Sequence, residues 1–252
     1  MKVYFVGAGP GDPELLTVKA VKLLQNCRVC IYAGSLVSPG VIELLPKWAE
    51  KHDSAKLSLA EMADLFADAR ERDIDVVRLH SGDPSIYGAI REQMNELDAL
   101  GIAYEVVPGV SSFQAAAAAL NAELTAPEVA QTIILTRAAG RTPVPEEQAL
   151  DRLARTRSTL CIFLSAGKIQ AIADLLADHY GKECPAALVH RVTWPDQKII
   201  VGTLGDIAAK TLAEGIKKTA LIIVGPALGR KIPASKLYDA TFSHEFREGT
   251  PE

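Results

Sequence analysis

Residues 2–17 read KVYFVGAGPGDPELLT, which joins a short apolar strand to a turn containing Gly7, Gly9 and Gly11. Glycines let the backbone turn sharply and approach a ligand closely. The spacing is G-x-G-x-G, whereas a dinucleotide site has G-x-G-x-x-G and an acidic residue after the second strand, where Ala33-Gly34 stands here. Pro10 also lacks the N–H that a phosphate cradle would use. The turn favours another kind of ligand site, with a purely structural turn as the alternative.

Strand and helix patterns alternate through the first half of the chain. Strands are predicted at residues 2–6, 28–32, 75–79 and 103–107, and helices at 17–25, 41–48, 59–71, 89–100 and 112–120. Thr17 and Ser58 are predicted N-caps. Short β-rich runs separated by helices predict a largely parallel sheet with helices on its faces.

The pattern changes after a predicted crossing segment at residues 121–130. Strands are predicted at 132–136, 159–164, 186–192, 198–202 and 221–224, helices at 146–154 and 168–179, and a hairpin turn at 194–197. We therefore predict an α/β protein with two α/β lobes, residues 1–113 and 114–230, the second with a mixed sheet. A polar tail at 231–252 would follow, and its Leu237, Tyr238, Phe242 and Phe246 could dock on a surface.

The composition excludes several classes of function. Of 252 residues, 48% are hydrophobic and the net charge is −4, which argues against general binding to nucleic acid or to a membrane surface. Residues 1–7 lack the features of a signal peptide, and the longest apolar run elsewhere, residues 115–120, is too short to cross a bilayer. We expect a cytoplasmic protein.

The four cysteines include a C-x-x-C pair, Cys27 and Cys30. Such a pair is typical of redox or zinc sites, but no second C-x-x-C is present to complete a zinc site. Because Cys30 lies in an apolar run, we favour buried reduced thiols.

Two further loops follow predicted strands, at residues 81–88 (SGDPSIYG) and 108–112 (PGVSS). Taken singly, Asp83 could simply shape a turn, and Ser111 and Ser112 could simply cap a helix. In open α/β sheets, however, ligands bind at the carboxyl ends of the strands. Three such loops in succession predict one ligand site.

Five segments together resemble the tetrapyrrole methylases, a family that includes uroporphyrinogen-III methyltransferase and the methyltransferases of the cobalamin pathway. They are VGAGPGDPELLT (6–17), RLHSGDPSIYG (78–88), EVVPGVSS (105–112), TWPDQKIIVGTL (193–204) and KTALIIVG (218–225). The resemblance covers residues 1 to about 230.

The resemblance implies two α/β lobes with S-adenosylmethionine bound in the cleft between them, a homodimer and no protein-bound metal. It also implies which positions bind the cofactor. These are Pro10, Ser81, Gly82, Asp83, Ile86, Tyr87, Ser111, Ser112, Phe113, Leu164, Val192, Thr219 and Ala220. Leu164 stands where relatives often carry Met, and either side chain suits an apolar wall.

One departure from the family pattern narrows the reaction. Uroporphyrinogen methylases have an Asp, assigned as proton acceptor, at the position of Ala33. Its absence disfavours methylation at C2 and C7. The segments 32–37 and 124–145 resemble the branch that methylates C11 of precorrin-4 or of its cobalt form, and Gly34 favours the metal-free substrate. No residue is identified as catalytic, including any base.

The substrate of that branch carries several carboxylates, and Arg is suited to bind them bidentately. Arg137 and Arg141 are the predicted substrate contacts, with Arg191 and Lys168 as further candidates. Solvated surface charges are the alternative for each. Two other functions stay open: a tetrapyrrole-binding module without catalysis, and a relative that methylates rRNA or a diphthamide intermediate.

Overall fold

The computed structural model describes residues 1–229, 233, 235 and 239–250. They form two compact units, Met1–Ala116 with Arg191–Lys198, and Ala117–His190 with the described residues from Ile199 onward. Each unit contains a five-stranded sheet with helices, so the predicted α/β class is confirmed. Residues 191–198, which the sequence places in the C-terminal lobe, belong to the first unit.

The first unit contains a fully parallel sheet, as predicted. Its strands are β1 (Lys2–Gly7), β2 (Val29–Tyr32), β3 (Glu50–Asp53), β4 (Val76–His80) and β5 (Ala103–Val107), in the order β3-β2-β4-β1-β5. Its helices are α1 (Val18–Gln25), α2 (Pro39–Ile42), α3 (Leu59–Glu71), α4 (Ile90–Ala99) and the beginning of α5 (Ser112–Ala119). Because all five strands are parallel, their carboxyl ends lie at one edge of the sheet.

Local capping explains where two of these helices begin. The Thr17 side chain accepts a hydrogen bond from the N–H of Ala20 at the start of α1. Ser58 and Glu61 form a reciprocal capping box at the start of α3, which satisfies two backbone donors. Both predicted N-caps are therefore present.

One prediction in this unit is wrong, and one strand was missed. The helix predicted over 41–48 ends at Ile42, and Pro46, which has no N–H to donate, lies in the predicted range. Strand β3 was not predicted, because its sequence, Glu-Lys-His-Asp, has no apolar residue to produce an alternating pattern.

The two faces of the first sheet bury different residues of β4. Val77 and Leu79 pack in the apolar layer that contains α1, and Val76 packs in the layer that contains α3 and α4. Arg78 and His80 follow Val76 at two-residue spacing, so they point to the same side as Val76. Both are more than nine-tenths buried, which places two polar side chains beside the carboxyl edge of the sheet.

The buried imidazole of His80 is expected to make stability depend on pH. Burial first, and the nearby positive charge of Arg78 second, lower its pKa from 6.5 to about 3. Below pH 6.5 the imidazole of His80 is protonated in the unfolded chain but stays neutral in the folded chain. The free energy of unfolding therefore falls by about 1.4 kcal/mol per pH unit until the pKa of the folded state is reached. Between pH 6.5 and about pH 4.5, the free energy of unfolding of the wild type should fall by about 2 to 3 kcal/mol more than that of His80→Asn, which has no titrating group at this position. Urea unfolding of both proteins at the two pH values measures this difference, and parallel pH dependences would contradict it.

The second unit contains the predicted mixed sheet. Its strands are β6 (Ile133–Arg137), β7 (Thr159–Phe163), β8 (Pro185–His190), β9 (Lys198–Thr203) and β10 (Ala220–Val224), in the order β6-β7-β10-β8-β9. Its helices are α6 (Leu150–Ala154), α7 (Ile169–Tyr180) and α8 (Ile207–Ala213). Strand β6 is parallel to β7, whereas β10 is antiparallel to both β7 and β8. Helix α8 was not predicted, and the helix predicted from residue 146 begins as a 3₁₀ turn at Glu146–Gln148.

The predicted tail is described only in part. Leu237 and Tyr238 lie outside the described residues, and the side chain of Phe246 is 88% exposed. Across the described residues, no helix has the length and apolar character needed to span a membrane.

Candidate active site

The three glycine-containing loops meet through Gly7, Gly82 and Gly109. A methyl group on Gly7 would lie 2.6 Å from Gly109 Cα and 2.7 Å from the carbonyl oxygen of Gly82. A methyl group on Gly109 would lie 2.8 Å from Gly7 Cα. These contacts are with backbone atoms that cannot rotate away, so only glycine allows the three strand ends to pack this closely.

Backbone hydrogen bonds join the first two loops. The N–H of Gly82 donates to the Gly9 carbonyl at 2.8 Å, and the N–H of Gly9 donates to the Gly82 carbonyl at 3.2 Å. Gly9 and Gly82 have φ angles of +67° and +63°, which side chains disfavour. These glycines therefore allow the two loops to form hydrogen bonds with each other, and they also allow the backbone of each loop to turn.

Asp83 connects the second loop to the third. One carboxylate oxygen accepts the N–H of Ser85 at 2.8 Å and also the Ser85 hydroxyl, and the other accepts the N–H of Gly109 at 2.9 Å. Burial alone would raise the pKa of Asp83, but these hydrogen bonds outweigh it and lower the pKa below its ordinary value. Asp83 is therefore an ionised carboxylate that accepts hydrogen bonds from the second and third loops.

The segment 191–198 forms hydrogen bonds with the first of the three loops, the glycine-rich loop at residues 7–13. Trp194 Nε1 donates to the Pro10 carbonyl at 2.9 Å, and Thr193 Oγ1 accepts the N–H of Asp12 at 2.9 Å. A methyl group on Gly11 would lie 2.5 Å from Trp194 Nε1, so the indole requires glycine there. From the sequence, this segment was predicted to contain a hairpin turn, a family motif, the cofactor contact Val192 and the candidate substrate contact Arg191. Its contact with a loop about 180 residues away depends on tertiary structure.

Arg191, a candidate for binding substrate carboxylates, is already engaged. Its guanidinium carbon lies 4.0 Å from the centre of the Trp194 ring, and its Nη1 forms an ion pair with Asp196 at 2.9 Å. This arrangement stabilises the segment that contacts the glycine-rich loop.

The buried Arg78 supports the end of the second loop. Its Nε donates to Gln93 at 2.9 Å, and Gln93 Nε2 donates to the carbonyl of Ala89 at 2.9 Å. Ala89 and Tyr87 have positive φ angles of 48° and 54°, so the loop ends in a strained backbone that this network holds in place.

The other predicted cofactor residues of the first unit lie in these loops or next to them. Pro10, Gly82, Ser111 and Val192 are buried, Asp83, Ile86, Ser112 and Phe113 are half-buried, and Ser81 and Tyr87 are exposed. The arrangement presents backbone groups, hydroxyls and a carboxylate beside an apolar side chain.

In the second unit, the predicted residues lie at one edge of the sheet. Phe163 at the end of β7 is in register with Arg137 at the end of β6, and Ile162 is paired with Ile222 of the antiparallel β10. Leu164 and the pair Thr219–Ala220 follow or begin the adjacent strands at that edge. Leu164 is 76% exposed, and both it and Thr219 have positive φ angles.

The predicted substrate residues differ in their surroundings. Arg137 donates to the carbonyls of Thr142 at 3.2 Å and Pro143 at 2.6 Å, and Lys168 donates to the carbonyl of Ala139. Arg141, at the exposed tip of the same loop, forms no ion pair or hydrogen bond with the described residues. Arg137 and Lys168 thus brace the loop that presents Arg141.

Comparisons with known proteins identify the family of the chain. The family model for Tetrapyrrole (Corrin/Porphyrin) Methylases matches residues 2–208. The cobalt-precorrin-4 C(11)-methyltransferase of Methanocaldococcus jannaschii is 52% identical over 98% of this chain and 96% of that protein. The precorrin-4 C(11)-methyltransferase of Pseudomonas aeruginosa is 49% identical over 99% of this chain and 100% of that protein.

Solved structures give the same result. A cobalt precorrin-4 methyltransferase, described as a cobalamin biosynthetic enzyme, has a TM-score of 0.88 and 45% identity over 90% of this chain and 96% of its own. A uroporphyrin-III C-methyltransferase from Thermus thermophilus, in complex with S-adenosylhomocysteine, has a TM-score of 0.75 and 30% identity over 90% of this chain and 93% of its own.

Proposed function

The chain belongs to the tetrapyrrole (corrin/porphyrin) methylases, and on that premise we propose that it is an S-adenosylmethionine-dependent C-methyltransferase of corrin-ring biosynthesis that methylates C11 of precorrin-4. The observation that carries the proposal is identity of about half over nearly the full length of relatives named for this reaction. The three interlocked loops of the first unit support it, because they lie at the carboxyl edge of the parallel sheet, where ligands of open α/β sheets bind.

The donor set at these loops fits the methyl donor. S-adenosylmethionine, when bound, supplies a methyl group already activated by a positively charged sulfur. Backbone groups, the Ser81 and Ser112 hydroxyls and the apolar Ile86 suit a ligand that has both an amino-acid group and a nucleoside. Asp83 positions the Gly109 loop by hydrogen bonding. The task of these residues is to hold the reacting atoms in line and to exclude water.

The residues of the second unit keep the roles that the resemblance implies. Leu164, Thr219 and Ala220 are proposed cofactor contacts. The positive φ angles of Leu164 and Thr219 support this proposal, since strained backbone conformations are concentrated at functional sites.

Two substrates differ only in the metal. We take metal-free precorrin-4 as the substrate because of Gly34, and cobalt-precorrin-4 is the second candidate, favoured by the 52% identity to a relative named for it. A cleft that recognises the macrocycle edge and its carboxylates accepts both forms unless something penalises one of them. The ratio of kcat/KM values for the two substrates decides between them.

The activity assay supplies purified protein with precorrin-4 and the methyl donor. The product should be one methyl group heavier, and S-adenosylhomocysteine should be released in equal amount. Tight binding of the tetrapyrrole without any methyl transfer would instead identify a binding module.

Arg141 is expected to bind a substrate carboxylate, whereas Arg137 supports its loop. Arg141→Ala should raise the KM for precorrin-4 about tenfold, because a charge-assisted hydrogen bond is worth about 1.5–3 kcal/mol. Its affinity for the cofactor should be unchanged. Arg137→Ala should lower kcat/KM and also the protection of the 138–143 backbone amides from hydrogen exchange.

Arg155→Ala is the control, since Arg155 pairs with Asp151 on the surface of α6. Steady-state kinetics on the three variants test the assignment. If Arg141→Ala had wild-type kinetics, Arg141 would be an ordinary surface charge.

We also propose that the protein is a cytoplasmic homodimer. Closed two-fold assemblies are the commonest oligomers. Buried free thiols such as those of Cys27, Cys30 and Cys161 are typical of proteins in a reducing compartment. Light scattering should give about twice the chain mass of 27.0 kDa, and a value equal to the chain mass would contradict the dimer.

A further inference from the structure

The carboxylate of Asp53 lies at the carboxyl end of a strand that none of the three cofactor loops follows. In the order β3-β2-β4-β1-β5, the loops proposed to bind the cofactor follow the adjacent strands β4, β1 and β5. The remaining strands, β2 and β3, end at Tyr32 and Asp53, which are paired in register. Since ligands of open α/β sheets occupy the carboxyl edge, a methyl acceptor beside the cofactor loops would face these two ends.

The backbone of the loop after β2 fixes the Asp53 side chain. Asp53 Oδ1 accepts the N–H of Gly34 at 2.9 Å and the N–H of Ala55 at 3.0 Å. A methyl group on Gly34 would lie 2.7 Å from Asp53 Oδ2, so glycine is what leaves room for the carboxylate. Oδ2 accepts no hydrogen bond among those found in the described part of the chain.

Asp53 is charged under working conditions. The hydrogen bonds from Ala55 and Gly34 lower its pKa below the ordinary value, and Lys56 adds a smaller effect in the same direction. The side chain is half-buried, so a ligand at the sheet edge can reach the free oxygen.

We propose that Asp53 contacts the macrocycle, balances the positive charge that it acquires on methylation, and accepts the proton that leaves it. The inference rests on the proposed function. The acceptor carbon C11 donates an electron pair to form the new C–C bond, and the methyl–sulfur bond breaks with its electron pair moving to sulfur. The positive charge passes to the macrocycle, which becomes neutral again when an N–H or C–H conjugated with C11 gives its proton to the carboxylate of Asp53. No oxidant or further reactant is required.

A purely structural role for Asp53 makes a different prediction. Its contact with Ala55 caps the 3₁₀ turn at Ser54–Lys56, and its contact with Gly34 ties two loops together. An asparagine oxygen can accept both hydrogen bonds but has no charge and is not a base. Asp53→Asn therefore keeps the hydrogen bonds with Gly34 and Ala55 but removes the negative charge.

The experiment compares three variants of the full chain: Asp53→Asn, Gly34→Ala and Glu50→Gln. Asp53→Asn should lower kcat by about tenfold or more, as loss of a placed charge-stabilising group does, with unchanged Tm and unchanged calorimetric affinity for S-adenosylhomocysteine. Gly34→Ala keeps the carboxylate but displaces it, and should lower kcat by a smaller factor. Glu50→Gln, at the opposite end of β3, is the matched control and should have wild-type kcat.

The outcomes separate this inference from the proposed function. If the wild type methylates precorrin-4 or its cobalt form and Asp53→Asn retains kcat within about threefold, the role of Asp53 is wrong and the function stands. A loss of kcat accompanied by equal losses of Tm and of S-adenosylhomocysteine binding would also overturn it, since Asp53 would then be structural. If Asp53→Asn fails to fold, wild-type kcat in Gly34→Ala would overturn it. Absence of methylation by the wild type would overturn both.

Discussion

Replacing Gly109 with alanine is expected to lower kcat/KM by about 100-fold or more and to weaken cofactor binding, because a displacement of about 1 Å at a positioned site slows catalysis by about this factor. The added methyl group would lie 2.8 Å from Gly7 Cα and closer still to the Gly82 carbonyl. Both neighbours are backbone atoms, so at least two of the three loops must move. Overpacking of this kind also costs about 1–3 kcal/mol of folding stability.

Gly101→Ala is the control for this variant. Gly101 has a φ of +64° but nothing within 4 Å of an added methyl group. It should lose about 1–2 kcal/mol of stability from backbone strain and keep its affinity for S-adenosylhomocysteine. Calorimetry on both folded variants measures the comparison. Wild-type affinity in Gly109→Ala would mean that the three loops do not form the cofactor site.

Asp83→Asn is expected to weaken cofactor binding by about 10- to 100-fold, corresponding to loss of a charge-assisted hydrogen bond. Asn has one acceptor oxygen, so it cannot accept from both Ser85 and Gly109 with separate oxygens as Asp83 does. Its amide group would face the N–H of one of them as a second donor. We expect the loop at 108–112 to move as a result.

Ser85→Ala tests whether the hydrogen bond between Gly109 and Asp83 controls the affinity for the cofactor. It removes the hydroxyl donor to Asp83 but leaves the link from Asp83 to Gly109. Its affinity for S-adenosylhomocysteine should stay within about threefold of the wild type, as expected for a partly exposed hydrogen bond. Equal losses in Ser85→Ala and Asp83→Asn would show that the link to Gly109 has no special role.

The sequence predicts the parts of the fold whose signals are local. The parallel sheet follows from apolar strands separated by helices, and the N-caps Thr17 and Ser58 follow from single residues. The three glycine-containing loops are likewise visible, because each one follows an apolar strand. Strand β3 escapes prediction because an edge strand of charged and polar residues has the composition of a loop.

The contacts between loops are not visible in the sequence. Nothing near Trp194 indicates that its indole donates to Pro10, which is 184 residues away. Asp53 was missed because its strand was missed, although the sequence does show that the loop after β2 lacks a carboxylate at Ala33. An aspartate at position 34 would place a second carboxylate against Asp53 Oδ2, where even a methyl group lies within 2.7 Å. The contact with Asp53 is thus a physical reason for glycine at position 34. The prediction of a metal-free substrate was based on this residue.

The position of the new methyl group tests the central claim most directly. Purified protein is incubated with precorrin-4 and S-adenosylmethionine labelled with carbon-13 in its methyl group, and the label in the product is located by carbon NMR. The proposed function predicts a single enriched methyl carbon attached to C11. Enrichment at C2, C7 or C17, or no transfer of label to a tetrapyrrole that is demonstrably bound, would contradict it.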